Sequence, residues 1–157
     1  MTNNMEAVYL SGTSDEKFII IDTGSARNLI GRHLLPVLEK RMKMNGHDLK
    51  LTKTDKTFQF RARSESKHFA KTVIPLNLAG IMIHAETFIV DNEIPFLIGG
   101  KLLREQKTNI KVSQNSLTIN GRNIKLELLP SGHMAINWTE KLHETSSQTV
   151  LMMTKVS

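Results

Sequence analysis

Cysteine is absent from this 157-residue chain, which excludes disulfides, thiolate metal sites and cysteine nucleophiles. Nothing can staple the fold covalently, and the absence fits an intracellular compartment. Aromatic residues make up only 5% of the chain, so the apolar content rests on Ile, Leu, Val and Met and suits a small β-rich core with modest pockets. Long apolar runs are missing as well. No segment approaches the roughly 18 uninterrupted apolar residues of a membrane span, and MTNNMEAVYLSG has neither the basic start nor the apolar run of a secretory leader. The expectation is a soluble, cytoplasmic protein without membrane contact, in which the sequon Asn137-Trp138-Thr139 is a chance match.

A chain of this length fits one domain, or one domain with tails, and burial of roughly 68–70% of its unfolded surface. The net charge of +6 comes from 21 Lys and Arg against 15 Asp and Glu. These are interleaved, and the densest basic cluster, Arg32 to Lys56, has no aromatic stacking platform beside it. A solvated helix face and loop is the better reading, and direct nucleic-acid binding is not expected. The six histidines show no zinc-like spacing, so no metal site and no cofactor are expected.

Short strands broken by turn residues dominate the pattern. EAVYL and KFIII, separated by SGTSDE, read as an opening strand pair. NLIGRHLLPVLEKRMKMNG carries Leu29, Ile30, Leu34, Leu35, Leu38 and Met42 at mixed three- and four-residue spacing. It predicts one amphipathic helix, kinked or begun near Pro36 and stopped at Asn45-Gly46. LKLTK, TFQFRAR, HFAKTVIPLNL and IMIHAETFIV follow as strands, with a tight turn at Ala79-Gly80 and a projecting hairpin whose polar tip is RSESK. NIKVSQNSLTINGRNIKLELL reads as three strands turning at Asn120-Gly121, and SGHMAINW as one more. The domain is placed at 1–138, with 139–157 a polar tail or weakly packed helix.

KFIIIDTGSARNLIG is the stretch that asks for chemistry. A buried strand runs into Asp22, followed by Thr23, Gly24 and Ser25. Such a turn holds a carboxylate rigidly, which serves a general base but equally an Asx-turn or a helix N-cap. Asp-Thr-Gly alone does not decide between them. A second anchor lies downstream in EIPFLIGGKLLREQ, where Leu97, Ile98 and Gly99 lead into a short helical pattern.

With FIIIDTGSARNLI and ETFIVDNEIPFLIGGKLLREQKTNIKVSQNSLTI in this order, the chain from about Ala7 to Leu128 resembles the retroviral-type aspartic peptidases, or retropepsins. It is similar to those of LTR retrotransposons and to the protease domain of DNA-damage-inducible ubiquitin-shuttle proteins. The resemblance implies a mainly all-β acid-protease barrel with one or two short helices, working as a two-fold homodimer. It implies catalysis at Asp22, Thr23 and Gly24, supported by Ser25 and by Leu97, Ile98 and Gly99 crossing behind the loop. It also makes the projecting hairpin a flap, with Arg63, Ser64, Glu65 and Ser66 at its tip.

The chain departs from the family pattern in two places: that tip has no glycine, and Gly100 stands where an Arg is usual. Only one Asp-Thr-Gly is present, because Asp15, Asp48, Asp55 and Asp91 lack the following Thr/Ser-Gly. Two carboxylates are needed, so a homodimer has to supply the second Asp22. The implied activity is aspartic endopeptidase action on an extended polypeptide, such as a retrotransposon polyprotein. The alternative is an inactive peptide-binding or dimerisation module on the same fold.

Overall fold

A computed structural model describes residues 14–54, 57–60 and 64–138. The expected strand EAVYL and the tail 139–157 lie outside them. The described chain is mostly β. A helical turn, α1 (Ser14–Lys17), leads into β1 (Phe18–Ile21), and β2 (Asn28–Gly31) follows the Asp22 loop. One 3-10 turn, Arg32–Leu34, precedes α2 (Leu35–Met44).

Then come β3 (Thr52–Lys53), β4 (Thr57–Phe60), β5 (Ser64–Leu78), β6 (Ile81–Val90) and β7 (Phe96–Ile98). α3 (Gly100–Glu105), β8 (Asn109–Lys111), β9 (Ser116–Ile119), β10 (Arg122–Lys125), β11 (Glu127–Leu128) and β12 (Met134–Asn137) complete the order.

The main sheet runs β11-β12-β1-β7-β2-β6-β5-β3, with β4 joined to β5, and a small sheet runs β10-β9-β8. β1 sits between two partners: it is antiparallel to β12 (Ile19 opposite Ile136) and parallel to β7 (Ile20 opposite Leu97). Both edges of β1 are therefore taken at Ile19 and Ile20, while the EAVYL half of the expected opening pair lies outside the described residues. The run of Ile has a direct cause. Ile19 and Ile21 enter the large core with Phe96, Ile98 and Trp138, while Ile20 enters a smaller cluster with Leu29, Phe88, Val90 and Leu97. A strand buried on both faces has no polar side to alternate with, and each buried Ile contributes about 1.5–3 kcal/mol.

The long helix expected from Asn28 to Gly46 is divided. Asn28–Gly31 form β2, parallel to Thr87–Val90 of β6, so Leu29 and Ile30 are strand residues. Helix begins only after the 3-10 turn, with Pro36 in its first turn and Leu38 and Met42 buried one turn apart. Helical spacing read across this boundary was two elements in sequence, because strand pairing with a segment 59 positions on overrode the local periodicity. α2 ends at Asn45 and Gly46, the latter at φ 79°. Its Arg41 guanidinium lies 4.4 Å over the Trp138 ring, whose Nε1–H donates to the Glu16 carbonyl at 3.1 Å. Burial lowers the pKa of Arg41 from its ordinary value, against a smaller opposing pull from Glu16. This contact ties α1, α2 and the end of β12 together.

Both predicted two-residue turns form. Ala79 and Gly80 (φ 53° and 83°) join β5 to β6, and Asn120 and Gly121 (φ 50° and 79°) join β9 to β10. Positive φ at both central residues is the hairpin turn that matches strand twist. The region read as three strands after Thr108 holds four, β8 to β11.

Candidate functional site

The Asp22 loop, residues 22–27, is the connection between β1 and β2, two strands separated in the sheet by β7. β7 inserts between them, parallel to β1 and antiparallel to β2 at Leu29–Leu97. The chain leaving β7 therefore has to pass beneath the loop. Four contacts join the two segments. Asp22 N–H donates to the Ile98 carbonyl at 2.9 Å, Gly100 N–H to the Ser25 carbonyl at 2.7 Å, and Lys101 N–H to the Ala26 carbonyl at 3.2 Å. Gly99 N–H donates to Asn28 Oδ1 at 2.9 Å.

The loop also closes on itself. Gly24 N–H donates to Asp22 Oδ1 at 3.1 Å, Ser25 N–H to the Asp22 carbonyl at 3.1 Å, and Ser25 Oγ to the Arg27 carbonyl at 2.7 Å. The first of these is an Asx-turn. It occupies one carboxylate oxygen, and among the described residues Oδ2 has no hydrogen-bond partner. The turn and a chemical role are thus compatible rather than exclusive. Asp22 and Ser25 are half-buried, and Thr23 and Gly24 are exposed. An acid held by its backbone, its own loop and the segment below it keeps one oxygen for whatever approaches.

Leu97, Ile98 and Gly99 are buried directly beneath this loop. Gly99 has no room for a side chain: a Cβ there would stand 2.5 Å from the Arg27 carbonyl oxygen and 2.7 Å from that of Ser25, both rigid backbone. Gly100 is less confined, with its nearest neighbours at 3.5 Å, among them the Arg104 guanidinium and the Thr23 carbonyl.

The expected flap residues are distributed differently. Arg63 lies outside the described residues. Ser64, Glu65 and Ser66 belong to β5, paired antiparallel with Phe60, Gln59 and Phe58. Phe60 pairs with Ser64 and Thr57 with Lys67, so Ser64 to Lys67 of the polar run expected as a tip are strand. Residues 64–67 extend beyond the His68–Val90 end of the β5–β6 ladder, with β4 as their strand partner, which makes the β4–β5 hairpin project from the sheet.

Asn28 was not singled out from the sequence, although it bridges Gly99 and the Glu86 carbonyl (3.0 Å from Nδ2) and is only 7% exposed. The available signal was a polar residue opening an otherwise apolar strand, NLIG. An open pocket of about 180 Å³ lies nearby, lined by residues that include Arg27, Asn28, His84, Glu86, Lys101 and Glu105. Asp22 is not among them. Among the described residues no cluster of three or more His, Asp or Glu could hold a metal ion, and no helix is long and apolar enough to cross a membrane.

No protein-family model matches this chain, and no curated protein matches it in sequence. Among solved structures, the chain is similar to the retroviral protease-like domain of Ddi1 from Leishmania major, at 15% identity and a TM-score of 0.48, covering 69% of this chain and 91% of that one.

Proposed function

We propose that this chain is an aspartic-type endopeptidase of the retropepsin-like class, active as a homodimer in which Asp22 of each copy faces a shared water. The observation that carries the reading is the pinned loop: Thr23 and Gly24 are exposed, yet the backbone of Asp22, Ser25 and Ala26 is hydrogen-bonded to that of Ile98, Gly100 and Lys101, a segment buried from Ile98 to Gly100. A half-buried carboxylate with one oxygen fixed and the other unoccupied is what acid–base work at a surface cleft requires.

Two such carboxyls placed together share one proton, since like charges that close cannot both ionise. The ionised Asp22 takes a proton from water as the water oxygen bonds to the scissile carbonyl carbon, and the protonated Asp22 gives its proton to the carbonyl oxygen. The tetrahedral intermediate then breaks its C–N bond while a proton passes to the leaving nitrogen. The substrate is an extended polypeptide whose backbone adds to strand edges of the cleft, and the projecting β4–β5 hairpin folds over it to exclude water. By the family resemblance, a retrotransposon polyprotein is the natural candidate.

The test is cleavage of a peptide library near about pH 5 by wild type and Asp22→Asn, with pepstatin as inhibitor and sedimentation run in parallel. Pepstatin-sensitive cleavage lost in the variant is expected. No cleavage by a verified dimer across about pH 4–7 would leave a peptide-binding or dimerisation module, and a monomer at every concentration would refute the shared dyad.

A further inference from the structure

Asn28 stands where the loop, β6 and the segment after β7 meet. It opens β2, its backbone in register with Thr87 of β6, and its side chain is almost wholly withdrawn from solvent. The two ends of its carboxamide do different work. Oδ1 accepts the Gly99 N–H, 71 positions away, and Nδ2 donates to the Glu86 carbonyl, 58 positions away. The network fixes the orientation of the amide, because a flipped group would set donor against donor and acceptor against acceptor.

Gly99 is one residue beyond the end of β7, so its N–H has no ladder partner, and it is buried where water cannot substitute. Of the four contacts between the 22–28 stretch and the 98–101 segment, three are backbone to backbone and only the one from Asn28 uses a side chain. Each neighbour of Gly99 in that segment holds the loop: Ile98 through Asp22, Gly100 through Ser25 and Lys101 through Ala26.

We infer that Asn28 is a positioning residue for the Asp22 carboxylate, acting through Gly99: by anchoring Gly99 to β6 it sets the height of the platform on which the Asp22 loop rests. This inference rests on the proposed peptidase reading for its catalytic consequence, but its structural half stands apart from it. The chemistry demands a carboxamide. Asp at this position keeps the acceptor for Gly99 but turns a carboxylate oxygen toward the Glu86 carbonyl; Ala removes both bonds.

The experiment compares wild type, Asn28→Ala and Asn28→Asp by amide hydrogen exchange and by steady-state cleavage. In Asn28→Ala, exchange at Gly99, Gly100 and Gly24 is expected to rise about tenfold or more. Leu117 and Ile124, in the separate β8–β10 sheet, are expected to keep wild-type rates. In Asn28→Asp the rise is expected to be smaller at Gly99, whose acceptor survives. If wild type cleaves, kcat is expected to fall about tenfold or more with KM changed less.

Wild-type exchange at Gly24 and Gly100 in either folded variant would overturn the inference. So would a uniform rise at every site, Leu117 and Ile124 included, which marks a general loss of stability. Should wild type cleave nothing, the peptidase reading fails, and the exchange pattern still decides whether Asn28 holds the loop.

Discussion

Two adjacent glycines with the same residue name do opposite things beneath Asp22. Gly99 is held where a methyl group would meet the carbonyl oxygens of Arg27 and Ser25 inside contact distance, and backbone cannot move aside as a flexible side chain can. Gly99→Ala is expected to destabilise by about 1–3 kcal/mol or more, as overpacking does, and to displace the Asp22 loop. Gly100 lies in the first turn of α3, where the nearest atoms are at 3.5 Å. Gly100→Ala is expected to be neutral or to stabilise by up to about 1 kcal/mol through helix propensity. Urea denaturation midpoints with matched slopes check both. An equal cost at the two positions would mean that the close approach at Gly99 is not what selects glycine there.

The elements show how a local signal succeeds or fails. Ala79 and Asn120 hold the first central position of equivalent hairpin turns at φ 53° and 50°, a left-handed conformation that Asn tolerates and Ala does not favour. Ala79→Asn is therefore expected to stabilise by roughly 0.5–1 kcal/mol, read from thermal and urea unfolding. β2 shows the reverse case. NLIG continues the helical spacing of the segment after it, and only its parallel pairing with Thr87–Val90 makes it a strand. At the N-terminal end, β1 has the apolar run of a buried strand in sequence, but nothing local says that its neighbours are β12 and β7. Trp138 stacks edge-on against Phe96 (centroids 5.5 Å apart, planes at 79°) and lies beneath Arg41. Trp138→Ala is expected to cost about 3–5 kcal/mol, followed by circular dichroism because the chain's one tryptophan is removed.

At the scale of the whole molecule the proposed chemistry is a property of two chains. With a single Asp-Thr-Gly per copy, specific activity is expected to climb with protein concentration until dimer saturates. The melting temperature is expected to climb with it, as for any equilibrium that binds folded protein. Activity per protomer that stays constant over a thousandfold dilution, in a range where sedimentation shows dissociation, would exclude a dyad shared between copies.

How far these features could be read in advance depends on the range of the interaction behind each one. Period, turn chemistry and composition are carried by neighbours in sequence. The β-rich character, the hairpins at Ala79-Gly80 and Asn120-Gly121, the helix near Pro36 and the strand preceding Asp22 were therefore legible from residues alone. The Asx-turn was also foreseeable, because its donor is two residues from its acceptor. The insertion of β7 between β1 and β2, the removal of Leu29 and Ile30 from the helix and the true extent of β5 were not. The first two are exchanges of backbone hydrogen bonds between segments tens of residues apart, and such partners leave no periodic trace; the third follows from pairing with β4, in a polar run, Ser64 to Lys67, that has no alternation to read. Asn28 illustrates the limit: in sequence it is one polar residue at the mouth of an apolar strand. Only folding brings Gly99 and Glu86 to its two ends, where it offers an acceptor to a buried amide and a donor to the Glu86 carbonyl.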